Sequence, residues 1–152
     1  MRLGSKGRYA VTALADIASQ PAGRPVPLGD IALRHNLSIQ YLEQIFVRLR
    51  RAGIVESARG PGGGYALARP SADITLASIL VAAGEMVQTT GCKDASVTAC
   101  TGQKGRCITH GLWADLGDHI SQFFSTRSLA DVVGPTAGRT PPNPSPAVEA
   151  SL

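Results

Sequence analysis

Apolar residues recur at near-helical intervals from the start of the chain. In SKGRYAVTALADIASQ, Tyr9, Ala13, Leu14, Ile17 and Ala18 share one face, which predicts a helix over about residues 5 to 19 with Ser5 as its cap and Pro21 as its stop. After a Pro/Gly loop, Leu28, Ile31 and Ala32 predict a short second helix that Asn36 can end in a left-handed conformation. A third helix is expected from Ser38, whose hydroxyl can cap it, to Gly53. Its stripe is Ile39, Leu42, Ile45, Phe46 and Leu49; Gln40, Tyr41, Glu43, Gln44, Arg48, Arg50 and Arg51 are left for the other surfaces.

The pattern then changes period. IVESARGPGGGYALAR reads as two short strands around a Gly/Pro turn, with Ile54, Val55, Tyr65 and Leu67 inward. Two short helices joined by a tight turn form a helix-turn-helix, and a hairpin directly behind it is a wing. At the tip, Arg59 stands beside Gly60, Pro61, Gly62, Gly63 and Gly64, where missing side chains let backbone approach a sugar-phosphate surface. A nucleotide-cradling role is disfavoured, because Tyr65-Ala66-Leu67 follows where a phosphate-binding loop needs Gly-Lys-Ser/Thr; a purely structural hairpin is the other alternative. Residues 73 to 84 predict a further apolar helix, capped by Asp73, that closes this first module.

Farther along, Trp113, Leu116, Ile120 and Phe123 follow one another at heptad-like spacing. Such a seam wants a partner helix, and a dimer interface is favoured over packing on the chain's own first module. Ser128 and Asp131 are spaced as a capping box for a last short helix. The Pro-rich stretch from Gly134 onward has no apolar periodicity and is expected to be disordered. The expected fold is mainly α with a small β-hairpin wing. Its organisation is a winged helix-turn-helix domain over 1–84, a cysteine-rich loop over 85–111, a dimerisation helix and short helix over 112–134, and a tail over 135–152.

Charge sharpens the picture. Residues 1–70 carry ten Lys/Arg against four Asp/Glu, and residues 71–152 carry five against seven. A basic module joined to an acidic one is the footprint of a nucleic-acid reader with a second function attached, although a solvated surface produces such asymmetry too. Arg48, Arg50, Arg51, Lys6 and Arg8 are candidates for phosphate contact, Gln44 and Tyr41 for reading base edges, with Ser38 and Gln40 beside them. Glu43 repels phosphate yet can accept from cytosine N4, so it can exclude sequences. The longest apolar run, Ile79 to Ala83, is too short to cross a bilayer and the start lacks a signal-peptide block, so a cytoplasmic location is expected. No nucleophile with a base and an orienting acid is evident, which disfavours an enzyme.

All three cysteines, Cys92, Cys100 and Cys107, fall in one stretch, and His110 follows the last by three positions. In a reducing compartment such a cluster points to metal or redox chemistry. Thiolates suit either an iron-sulfur cluster or zinc, and the residues alone do not separate the two. An electron-transfer or cluster-carrier protein would use the same thiols but leave the basic winged module idle. His35 and His119 lack ligand spacing and read as surface residues.

MRLGSKGRYAVTAL, PVPLGDIA, SIQYLEQIFVRLRRAGIVESARGPGGGY and the cysteines followed by C-I-T-H and LW together resemble the IscR family of iron-sulfur cluster regulators, over residues 1 to about 133. The resemblance implies a homodimeric winged-helix repressor or activator, acting on cluster-assembly genes, whose DNA binding responds to an iron-sulfur cluster. By position Tyr41, Glu43 and Gln44 match recognition-helix residues, Arg59 matches the wing arginine, and Cys92, Cys100, Cys107 and His110 match the ligands of a 2Fe-2S cluster; 4Fe-4S and zinc are the alternatives. The first two gaps between ligands are longer here than the family pattern. Nitric-oxide-sensing relatives take a carboxylate from the first helix as fourth ligand, and the matching position here is Arg8, a cation that cannot bind iron. A near-palindromic operator follows from the dimer.

Overall fold

The computed structural model describes residues 4–85 and 108–134. The expectations for the three cysteines and for the tail lie outside the described residues. Helices α1 (Ser5–Ala18), α2 (Leu28–His35) and α3 (Ile39–Arg51) lead into an antiparallel hairpin, β1 (Val55–Ala58) and β2 (Gly64–Leu67). A 3-10 turn at Ser71–Asp73, α4 (Leu76–Ala83), α5 (His110–Thr126) and α6 (Leu129–Val133) follow. The mainly α architecture with a small wing is the one expected.

Local chemistry sets most boundaries. Asn36 ends α2 at φ 52, the left-handed conformation its short polar side chain tolerates. Ser38 caps α3, its hydroxyl accepting from the Tyr41 N–H. Ser128 and Asp131 form the reciprocal capping box of α6. Two caps differ from expectation. Gly4, not Ser5, precedes α1, and the Ser5 hydroxyl turns to Tyr41 instead. Asp73 belongs to the 3-10 turn, and α4 starts later, its N-terminus satisfied by Thr75 accepting from Ser78. A threonine directly before the first helical residue has the shorter reach, so it wins over an aspartate two positions earlier.

One core holds the elements together. Ala10, Ala13, Leu14 and Ile17 of α1 meet Ile31, Leu42, Ile45, Phe46, Leu49, Ile54, Val55, Ile74 and Ile79. Four of the five expected α3 stripe positions are buried, whereas Ile39, the first residue of the helix, is 40% exposed. In β2, Ala66 is the buried residue and Tyr65 and Leu67 are only partly covered. Val26 pairs with Tyr65 as a third, one-residue rung beside the hairpin, and a side chain at Gly64 would strike the Val26 backbone. Leu129 of α6 is fully buried in this same core, and its N–H donates to the Ile74 carbonyl. The first module is thus closed partly by the last helix of the described chain, not by α4 alone.

Candidate nucleic-acid interface

The turn between α2 and α3 is held from two sides. Leu37 N–H donates to the Ala32 carbonyl across the turn, and on the far side of α2 Arg34 and His35 both bond Asp16 of α1. The Arg34 pair is bidentate, at 2.6 and 2.9 Å, and the Asp16 side chain is 5% exposed. The Arg34 guanidinium, with a smaller contribution from His35, holds the Asp16 carboxyl below the usual carboxylate range against the opposing pull of burial. This clamp fixes α2 on α1 and with it the launch angle of α3. Sequence pattern gives no sign of it, since the partners are eighteen and nineteen positions apart.

With its stripe buried, α3 turns Gln40, Glu43, Gln44, Arg50 and Arg51 to solvent. These five polar side chains lie on a rigid element, the arrangement that reads base edges and phosphates in a major groove. Tyr41 is not a free reader: it is half-buried, packs edge-on against Tyr9 with ring centroids 5.7 Å apart, and exchanges a 3.0 Å hydrogen bond with Ser5. Through it the first turn of α1, carrying the half-buried Lys6 and exposed Arg8, is joined to the start of α3. Arg48 also departs from the others, its guanidinium reaching the Ala83 carbonyl at 3.3 Å.

The wing is held to α3 by Phe46 and Tyr65, whose rings meet at 4.8 Å and 60°. Its tip presents exposed Arg59, Gly60 and Gly62 and half-buried Gly63, closed by a Gly63 N–H to Gly60 carbonyl bond of 2.9 Å. Arg59 makes no hydrogen bond or ion pair among the described residues and is available to a ligand. Of the sequence-predicted metal set, only His110 is described; it is half-buried at the first position of α5. Among the described residues no three His, Cys, Asp or Glu side chains converge on a common point. No helix among them is long and apolar enough to cross a membrane. His119 is exposed as expected, bonded to the Asp115 carbonyl.

A helix-turn-helix whose second helix exposes polar and basic side chains, flanked by a glycine-rich wing, defines a winged-helix DNA-binding protein. Residues 3–135 match the Rrf2 family, described as an iron-dependent transcriptional regulator, and the chain belongs to that family. The HTH-type transcriptional regulator IscR of Photorhabdus laumondii is 49% identical over 133 residues, covering 88% of this chain and 79% of that protein. Its namesake from Yersinia pseudotuberculosis is 47% identical over the same shares. Among solved structures, T. potens IscR superposes with a TM-score of 0.69 at 32% identity, covering 88% of this chain and 86% of that one. CymR, the global cysteine regulator of B. subtilis, gives 0.73 at 28% identity, covering 88% and 96%. The chain is therefore a DNA-binding transcription regulator of IscR type and not an enzyme.

Proposed function

We propose that this regulator binds a near-palindromic operator as a homodimer in the cytoplasm, and that an iron-sulfur cluster, of 2Fe-2S type, sets which operators it accepts. The observation that carries the DNA-binding half is the shared exposure of the α3 polar face and the Arg59 wing tip on one rigid frame. Phosphate contacts from Lys6, Arg8, Arg50 and Arg51 supply affinity, and Gln40, Gln44 and Glu43 supply discrimination. Glu43 penalises bases that offer only acceptors, so a small shift of α3 changes the set of tolerated sites. The exposed apolar face of α5, with Leu112, Trp113, Leu116 and Phe123, supports a second copy as its cover.

The donor set fits the cluster. Three thiolates and one imidazole are soft and borderline ligands of the kind such clusters take, and the imidazole makes the ligand set less negative than four thiolates would. Cys92, Cys100, Cys107 and His110 would hold it, and the cluster supplies a redox-sensitive, oxygen-labile centre when bound. His110 opens α5, so a change at that ligand acts on the same helix that presents the apolar face. That its target genes are those of cluster assembly is what the resemblance to the IscR family implies.

The test is anaerobic purification followed by absorption spectroscopy and iron and sulfide analysis, with operator binding measured before and after chelation. Two irons and two sulfides per chain, with affinity changing on their removal, support the proposal. Zinc in place of iron, or affinity indifferent to metal removal, overturns it; the first leaves a zinc-bound DNA-binding protein and the second a regulator that does not respond to metal.

A further inference from the structure

Half-buried Tyr41 and exposed Arg48 stand on one flank of α3, and both reach back to other elements of the protein. These residues are seven positions apart, two turns along one side of the helix. At the first turn Tyr41 bonds Ser5, at the start of α1. At the last turns Arg48 donates to the carbonyl of Ala83, the final residue of α4, where a guanidinium satisfies an orphan carbonyl and complements the negative helix end. Gly84 follows at φ 79, a conformation that favours glycine, and a side chain there would have to displace the Arg48 guanidinium.

Glu85 is the next residue, and it is tied down as well. Its carboxylate accepts from the Gly4 N–H at 3.2 Å, at the free N-terminal end of α1. Its aliphatic stem, with Leu80, lies where a side chain on Gly7 would sit. Residues 84 and 85 are the last before 86–107, the stretch that carries the three cysteines. That stretch therefore departs from a point gripped on one side by α3, through Arg48, and on the other by the start of α1, which itself grips α3 through Ser5 and Tyr41.

We propose that Arg48 is a positioning residue rather than a DNA contact, and that Arg48 and Glu85 together form a two-point clamp through which the state of the cysteine-bearing segment sets the seat of the recognition helix. Arg50 and Arg51, two and three positions on, make no side-chain hydrogen bond or ion pair among the described residues and remain the phosphate-facing pair at that end of α3. The regulatory half of the proposal rests on the metal-responsive reading above; the placement of Arg48 does not.

The experiment compares Arg48→Gln, Arg48→Lys and Glu85→Gln with the unaltered protein, each metal-free and metal-loaded, for iron content and for operator affinity across a salt series. Metal-free Arg48→Gln should keep the unaltered slope of log K against log salt, whereas loss of one phosphate contact per protomer would flatten a dimer's slope by about 1.8. Both Gln variants should retain iron and shrink the affinity ratio between loaded and metal-free protein by about tenfold, the factor that corresponds to ~1.4 kcal/mol of coupling. Arg48→Lys, which keeps a cationic donor, should recover part of that ratio. A flattened slope in Arg48→Gln, or a full ratio in both Gln variants with iron retained, overturns the clamp. If the unaltered protein itself shows no difference between loaded and metal-free forms, the metal-responsive reading fails and takes the regulatory half with it, while the salt slope still decides what Arg48 touches.

Discussion

Helices α3 and α5 are both amphipathic, and they end in opposite circumstances. The α3 stripe disappears into the core, with Leu42, Phe46 and Leu49 at 0% exposure. The α5 stripe stays largely outside: Leu112 is 63% exposed, Trp113 44% and Phe123 50%, with Phe124 alone packed against the core. An apolar period thus announces that a helix needs cover without saying which surface supplies it. In α3 the cover is α1, α2, α4 and β1 of the same chain, and burial leaves a polar face open to solvent. In α5 the described residues leave much of the stripe exposed, and that face is large and aromatic enough to mark an interface.

The largest contrast comes from truncating one aromatic on each helix. Phe46→Ala should destabilise the fold by about 3–5 kcal/mol, because it empties a fully enclosed site and removes the ring that holds Tyr65 and the wing. Chemical denaturation checks this, and a cost below ~1 kcal/mol would mean the core closes around the gap. Trp113→Glu should leave the subunit fold nearly intact but weaken self-association by about 2 kcal/mol or more, roughly thirtyfold, read by sedimentation. Unchanged sedimentation would remove α5 as the dimer seam.

A smaller effect tests what holds α3 at its angle. Asp16→Ala removes the buried acceptor of Arg34 and His35, both of which can rehydrate, and should cost about 1–2 kcal/mol. The sign of its pH dependence follows from the lowered carboxyl. In the unaltered protein this contribution is present above the unfolded-state value of about 3.9 and is lost as pH falls through the lower folded-state value. Stability curves of the two proteins should therefore converge at the acid end. Parallel curves down to the lowest accessible pH would show that Asp16 is not the group responsible.

Much of this protein was legible in the order of its residues. The spacing of Leu42, Ile45, Phe46 and Leu49, the caps at Ser38 and Ser128, the left-handed stop at Asn36 and the glycine wing are short-range signals, each decided within a turn or two of chain. They determine that the chain folds as helix, turn, helix and wing, because capping, periodicity and φ preference act locally. What tertiary structure alone decided was the use of side chains whose partners lie far off. Tyr41 is drawn back to Ser5, Arg48 to the end of α4 and Glu85 to Gly4, and Leu129 closes a core begun more than a hundred residues earlier. An arginine or tyrosine on a helix surface looks the same in sequence whether it faces a phosphate or a carbonyl. Only the three-dimensional neighbourhood, which sets the competing acceptor within reach, tells the two apart.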